Sequence, residues 1–126
     1  MWSGVSNLLE LPPAAAGAGR EYAETLLTGA GGLRLERIVT LDDTGADAVW
    51  YDQAQDEWVA VLEGEATLGF ADGREAVLVR GSHIFLPRHV RHRVLRASSP
   101  CIWLAVYGEA LEPACQALLA GFQQTG

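Results

Sequence analysis

The sequence predicts an all-β protein, a small β-barrel or jelly roll with short helices near its two ends. From Leu33 onward apolar and polar residues mostly alternate, the period of half-buried strands rather than of helices. Turn clusters rich in Gly and Asp (DDTGAD, ADGRE, RGS) break the chain at near-regular intervals, leaving about eight short extended runs, the mark of a barrel or sandwich. With 126 residues, 49% of them hydrophobic, the chain is long enough to bury the core of one domain.

Residues 1–32 read as an arm followed by a short helix. Leu11-Pro12-Pro13 and the Ala/Gly run after it stop any long helix. GREYAETLLTG then places Tyr22, Leu26 and Leu27 on one helical face, with Gly29 as the stop. Residues 33–109 read as the barrel. In LRLERIVTL, Leu33, Leu35 and, after a shift, Ile38 are expected inward, and Arg34 and Glu36 outward. AVWY resumes extended structure after the DDTGAD turn. EWVAVLEGEATLGF reads as a hairpin with Glu63-Gly64 at its tip, and Asp72-Gly73 turns the chain into AVLVR. GSHIFLP, HRVLRAS and the apolar CIWLAVYG supply the last strands. Residues 110–126 read as a C-terminal helix over Glu112–Phe122, packing Leu118, Leu119 and Phe122.

Charge narrows the function. The net charge is −7 and all nine cations are Arg. Such a balance argues against nucleic-acid binding, which needs a basic face to displace counterions. No apolar run reaches membrane length. The N-terminus lacks the basic-then-apolar pattern of a secretion signal, so a cytoplasmic protein is expected. Cys101 and Cys115 are too few for a disulfide framework and read as reduced core thiols.

Between Gly45 and Arg96 the spacing of polar residues resembles the two motifs of the cupin family. Gly45, Tyr51, Gln53, Glu57 and Gly64 fall on the first motif's Gly, His, His, Glu and Gly; Gly81, Pro87, His89, His92 and Arg96 fall on the second's Gly, Pro, Gly, His and Asn. Glu57 and His92 keep the family's residue types, whereas Tyr51 and Gln53 stand where it carries histidines. The resemblance implies a barrel enclosing a divalent-metal site (Zn, Fe, Mn, Ni or Cu), a small-molecule ligand, and a homodimer formed through edge strands and terminal arms. Carried over residue by residue, the implied metal ligands are Gln53, Glu57 and His92, with His89 as a fourth if it turns inward.

The residues qualify that implication. Gln offers only a neutral carbonyl oxygen, and a tyrosine with an ordinary pKa of about 10 must lose its proton to ligate. A Gln, a Glu and a His can also satisfy one another around water, giving a metal-free binding or sensor pocket. A third alternative is a metal-dependent oxygenase or isomerase acting on a small anionic or sugar-like compound, with Glu57 or His92 moving protons and Tyr51 assisting as an acid. Asp52 should face away from Gln53, one residue along the strand. Five of the nine arginines lie in Arg80–Arg96. Most should pair with neighbouring carboxylates; Arg96, in the place of the motif's Asn, is a candidate for the ligand pocket together with Tyr51. Trp50, Trp58 and Trp103 read chiefly as packing, and His83 as a surface or packed side chain.

Overall fold

A computed structural model of the protein describes residues 4–17, 19–42 and 49–114. It contains eight strands: β1 Glu21–Thr28, β2 Arg34–Thr40, β3 Asp56–Glu63, β4 Ala66–Phe70, β5 Glu75–Leu78, β6 His83–Leu86, β7 His92–Ala97 and β8 Cys101–Gly108. They form two antiparallel sheets, ordered β1-β2-β8-β3-β6 and β5-β4-β7, as expected for a jelly roll. Helical structure among the described residues is a single 3₁₀ turn, Pro13–Gly17.

Alternation decides what faces the interior. Val59 and Val61 of β3, Leu68 and Phe70 of β4, Leu86 of β6, and Trp103, Ala105 and Tyr107 of β8 make the core between the sheets. Two motif glycines are explained by backbone shape. Gly64 and Gly81 sit at φ +88° and +89°, and a Cβ on Gly64 would lie 2.9 Å from the Pro100 carbonyl oxygen. Gly45 lies outside the described residues.

Three expectations are corrected. First, the segment read as a helix is strand β1, running antiparallel to β2 with Tyr22 opposite Val39 and Glu24 opposite Arg37. The spacing of Tyr22 and Leu26 resembles a helical face, but β2 has a free edge here, and its backbone groups override local propensity. Leu26 and Leu27 stay 40% and 52% exposed, so they were never a buried face. Second, β3 and β4 do not form a hairpin. All of β4 and most of β3 is buried, and each is already flanked on both sides, β3 by β8 and β6 and β4 by β5 and β7. The chain therefore crosses from one sheet to the other at Gly64. Third, the parity of β2 is reversed. Ile38 and Thr40 do face the cavity, but Leu35, Arg37 and Val39 lie on the outer face, where Arg37 donates to arm carbonyls at Leu8 (2.9 Å) and Glu10 (2.8 Å). The draped arm supplies polar partners on that face, which alternation alone cannot show. Of the AVWY segment, the described residues 49–51 contribute one bridge, Tyr51 to His92. The Asp72-Gly73 turn joins β4 to β5 as expected. The C-terminal helix expected over Glu112–Phe122 falls mostly outside the described residues.

Candidate functional site

The two sheets enclose a cavity of about 110 Å³. Its polar wall comes from four places in the chain: Glu21 of β1, Thr40 of β2, Tyr51 and Gln53 with Glu57 of β3, and His92 of β7. Trp103 and Tyr107 of β8 and the aliphatic Ile38, Val59, Leu68, Leu86 and Val94 complete it. Strands β3 and β7 belong to different sheets, so Glu57 and His92 meet across the interior.

Glu57 is at the centre and only 6% exposed. Gln53 Nε2 donates to its Oε1 at 2.7 Å, and the Tyr107 hydroxyl is also bonded to it. Burial nonetheless holds the Glu57 carboxyl above the ordinary carboxylate range, although Gln53, the nearby His92 and Tyr107 oppose the shift. Its own charge in turn raises the Tyr107 phenol, on top of burial.

His92 is oriented by its backbone neighbour. Its Nδ1 lies 2.9 Å from the Val90 carbonyl oxygen, which can only accept, so Nδ1 carries a proton. In the neutral ring Nε2 then presents a lone pair to the cavity, 3.9 Å from Glu57 Oε1. Tyr51 stacks on the His92 ring with centroids 5.6 Å apart, and a paired backbone bridge between the two residues fixes this placement. Burial pushes the Tyr51 phenol up, and Glu21 and Glu57 add to the rise against Arg20. Tyr51 is thus a neutral hydroxyl at the mouth, unsuited to ligate as phenolate.

The structure brings Tyr51, Gln53, Glu57 and His92 together and leaves two expected residues outside. His89 has a left-handed backbone, φ 63°, which turns its ring outward; Nδ1 lies 2.8 Å from Asp52 Oδ1 and both side chains are largely exposed. Arg96 is on the outer face of the smaller sheet, 3.4 Å from Glu75. Asp52 does face away from Gln53. Among the other arginines of that segment, Arg88 pairs with Asp56 at 3.4 Å, while Arg91 and Arg93 lie over the Trp50 ring. Trp58 and His83 pack together on the outer surface. Among the described residues no three His, Cys, Asp or Glu side chains gather as a metal cluster; Glu57 and His92 are a pair.

Of the polar wall, Glu21, Thr40 and Tyr107 escaped the sequence reading. Tyr107 was accessible in principle, because Cys101, Trp103, Ala105 and Tyr107 share the inward parity of β8. Glu21 was not, since its inward direction exists only if β1 is a strand.

Comparison with known proteins agrees with this architecture. The profile described as "Cupin domain" matches residues 38–107. A structure from Ralstonia eutropha JMP134, solved as a candidate mannose-6-phosphate isomerase, is 35% identical, with 84% of this chain and 98% of that one covered and a TM-score of 0.71. Hydroxypropylphosphonic acid epoxidase from S. wedmorenis is 27% identical with a TM-score of 0.63; 70% of this chain is covered, but only 50% of the epoxidase, so the chain spans about half its length. HppE with Co(II) and Tris is 28% identical, with 69% of this chain and 52% of that one covered and a TM-score of 0.63. Curated proteins give no match. No helix among the described residues is long and apolar enough to cross a membrane. With more than half of its length matched by the profile and its strands in two facing sheets, the chain belongs to the cupin family.

Proposed function

We propose that the protein binds a divalent metal ion and a small polar ligand in its barrel cavity, using His92 Nε2, the Glu57 carboxylate and the Gln53 carbonyl oxygen as metal donors. The observation that carries this is the His92–Glu57 geometry: a lone pair fixed by the Val90 carbonyl faces a carboxylate oxygen 3.9 Å away. Metal–donor bonds of about 2.0–2.2 Å to each can bridge such a gap with a closure of a few tenths of an ångström. Gln53 needs only its amide rotated for its oxygen to take the place of its N–H. One imidazole and two oxygens favour Fe, Mn or Zn over softer ions. The likeness to HppE, solved with Fe(II) and with Co(II), supports a divalent ion. Such an ion, when bound, would polarise a ligand oxygen. The chain itself orients the ligand: Tyr51 offers a neutral hydroxyl at the mouth, and the apolar wall from Val59 to Val94 excludes water. Elemental analysis should find metal in the purified protein and lose it in His92→Ala; protein without metal and without a thermal shift on adding Fe, Mn, Ni, Zn or Cu overturns the reading.

A metal-free binding or sensor pocket is favoured by one observation: Gln53 and Tyr107 already satisfy Glu57 without an ion. In that case Glu57→Ala and His92→Ala leave the response to metal unchanged, there being none. Catalysis as an isomerase or oxygenase draws support from the names of the similar structures and from the Glu57 carboxyl facing His92 Nε2. Turnover by metal-loaded protein that disappears in Glu57→Gln would establish it. Pairing of two copies through β1, an edge strand of its sheet, belongs to the same reading, and a concentration-independent monomer in light scattering removes it.

A further inference from the structure

The cavity wall is rich in acceptors and poor in free donors. Trp103 Nε1 donates to Thr40 Oγ1 at 3.1 Å, Gln53 Nε2 to Glu57, and His92 Nδ1 to Val90, while the Tyr107 hydroxyl is bonded to Glu57. What remains directed at a ligand is four acceptors, the carboxylates of Glu21 and Glu57, His92 Nε2 and the Gln53 carbonyl oxygen, and one donor, the Tyr51 hydroxyl at the mouth.

Among the described residues no Arg or Lys lines the cavity. The arginine-rich segment that suggested an anion is committed elsewhere: Arg88 to Asp56, Arg96 to Glu75, and Arg91 and Arg93 to Trp50. Arg34, near the floor, pairs with Glu36 at 2.7 Å and lies over Tyr107. Glu21, at the mouth, makes no side-chain hydrogen bond or ion pair among the described residues, and its charge reaches Tyr51 beside it. A second carboxylate, Glu36, stands behind both Glu21 and Glu57. A small anion entering this space would meet the Glu21 and Glu57 carboxylates with Glu36 behind them, and among the described residues no Arg or Lys in the lining, the charge of Arg20 reaching Tyr51 from outside it.

We propose that the ligand is a small amine, its ammonium group held at the mouth between the Glu21 carboxylate and the Tyr51 ring. Carboxylate and aromatic face together are the chemistry that recognises ammonium. The cavity has room for about four water-sized groups, which sets the ligand at a few heavy atoms. This inference rests on the reading of the cavity as a ligand site, and not on a metal being present in it.

Three probes of closely similar size separate charge from shape: 2-aminoethanol, ethylene glycol and glycolate, titrated at neutral pH against metal-loaded and chelator-treated protein and followed by amide NMR shifts. The amine should bind about tenfold more tightly than glycolate, with shifts centred on Glu21 and Tyr51. Glu21→Gln should lose that preference and Glu21→Asp keep most of it, while metal content stays at the wild-type level in both. Equal or tighter binding of glycolate, an unchanged preference in Glu21→Gln, or no binding of the amine each overturns the proposal. Protein that takes up none of the added metals yet prefers the amine would remove the metal reading alone.

Discussion

Two buried charges on adjacent layers of the larger sheet have opposite surroundings. Arg37, on the outer face of β2, is 7% exposed and enclosed by partners: its Nη1 reaches the carbonyls of Asn7, Leu8 and Glu10, and its Nη2 the carboxylate of Glu24. Glu57, on the inner face of β3, is 6% exposed, accepts from Gln53 and Tyr107, and otherwise faces an open cavity. One charge is compensated by the fold itself. The other waits for something the chain does not provide. Burial of a charge identifies function only when its remaining valence points into space that a ligand can fill.

The comparison breaks first at Arg37. Arg37→Ala leaves the Glu24 charge and three arm carbonyls without their partner, so urea unfolding should show a loss of about 3–5 kcal/mol. The arm should also become protease-sensitive near Leu11. A loss below about 1 kcal/mol would mean that the arm is held by its apolar contacts and that the guanidinium is incidental. Glu24→Gln keeps the shape and removes the countercharge. It should cost less, about 1–3 kcal/mol, because the arm carbonyls remain to receive Arg37.

For Glu57 the sign is reversed. Its folded carboxyl lies above its unfolded value, so the folded protein holds that proton more tightly. The resulting stability is fully present below the ordinary carboxylate range and is lost as pH rises through the folded value. Metal-free protein should therefore show a falling Tm between mildly acidic and neutral pH. Glu57→Gln should remove most of that slope and gain about 0.5–2 kcal/mol at neutral pH while abolishing metal uptake. Glu21, also raised by burial and by Glu36, should carry the remaining slope. If Glu57→Gln is instead destabilised at neutral pH, Glu57 is compensated as fully as Arg37 and the contrast fails.

How much of this was legible in the sequence follows from the same physics. The apolar runs of β3, β4 and β8 are local, and those segments are strands as expected. The spacing of Glu57 and His92 between turn glycines is also local, and those two residues meet as the motifs implied. What was hidden depends on partners distant in the chain. β1 carries residues that suit a helix and becomes a strand because β2 offers an edge. Arg37 looks like a solvent-facing strand charge until an arm some thirty residues earlier folds over it. His89 stands at the motif's Gly position, where an inward turn would have made it a fourth donor, yet its backbone at φ 63° directs the ring to Asp52.

Cys101 supplies the smallest effect and a third term of the comparison, a buried titratable group that stays neutral. It is fully buried at the start of β8, in the core cluster with Trp103, and burial pushes its thiol up to about 11 against a bond from Ser98. Relative to an ordinary thiol at 9.0, two units lower the thiolate fraction at pH 8 about a hundredfold, before access is considered. In a Cys115→Ser background, iodoacetamide should therefore label Cys101 at least about a hundredfold more slowly in native protein than in urea. The protected thiol needs no partner because it bears no charge, which is the condition Glu57 cannot meet near neutral pH. Rapid native labelling would show that the core opens at β8, and the cavity wall formed by Trp103 and Tyr107 on the same strand would then be mobile too.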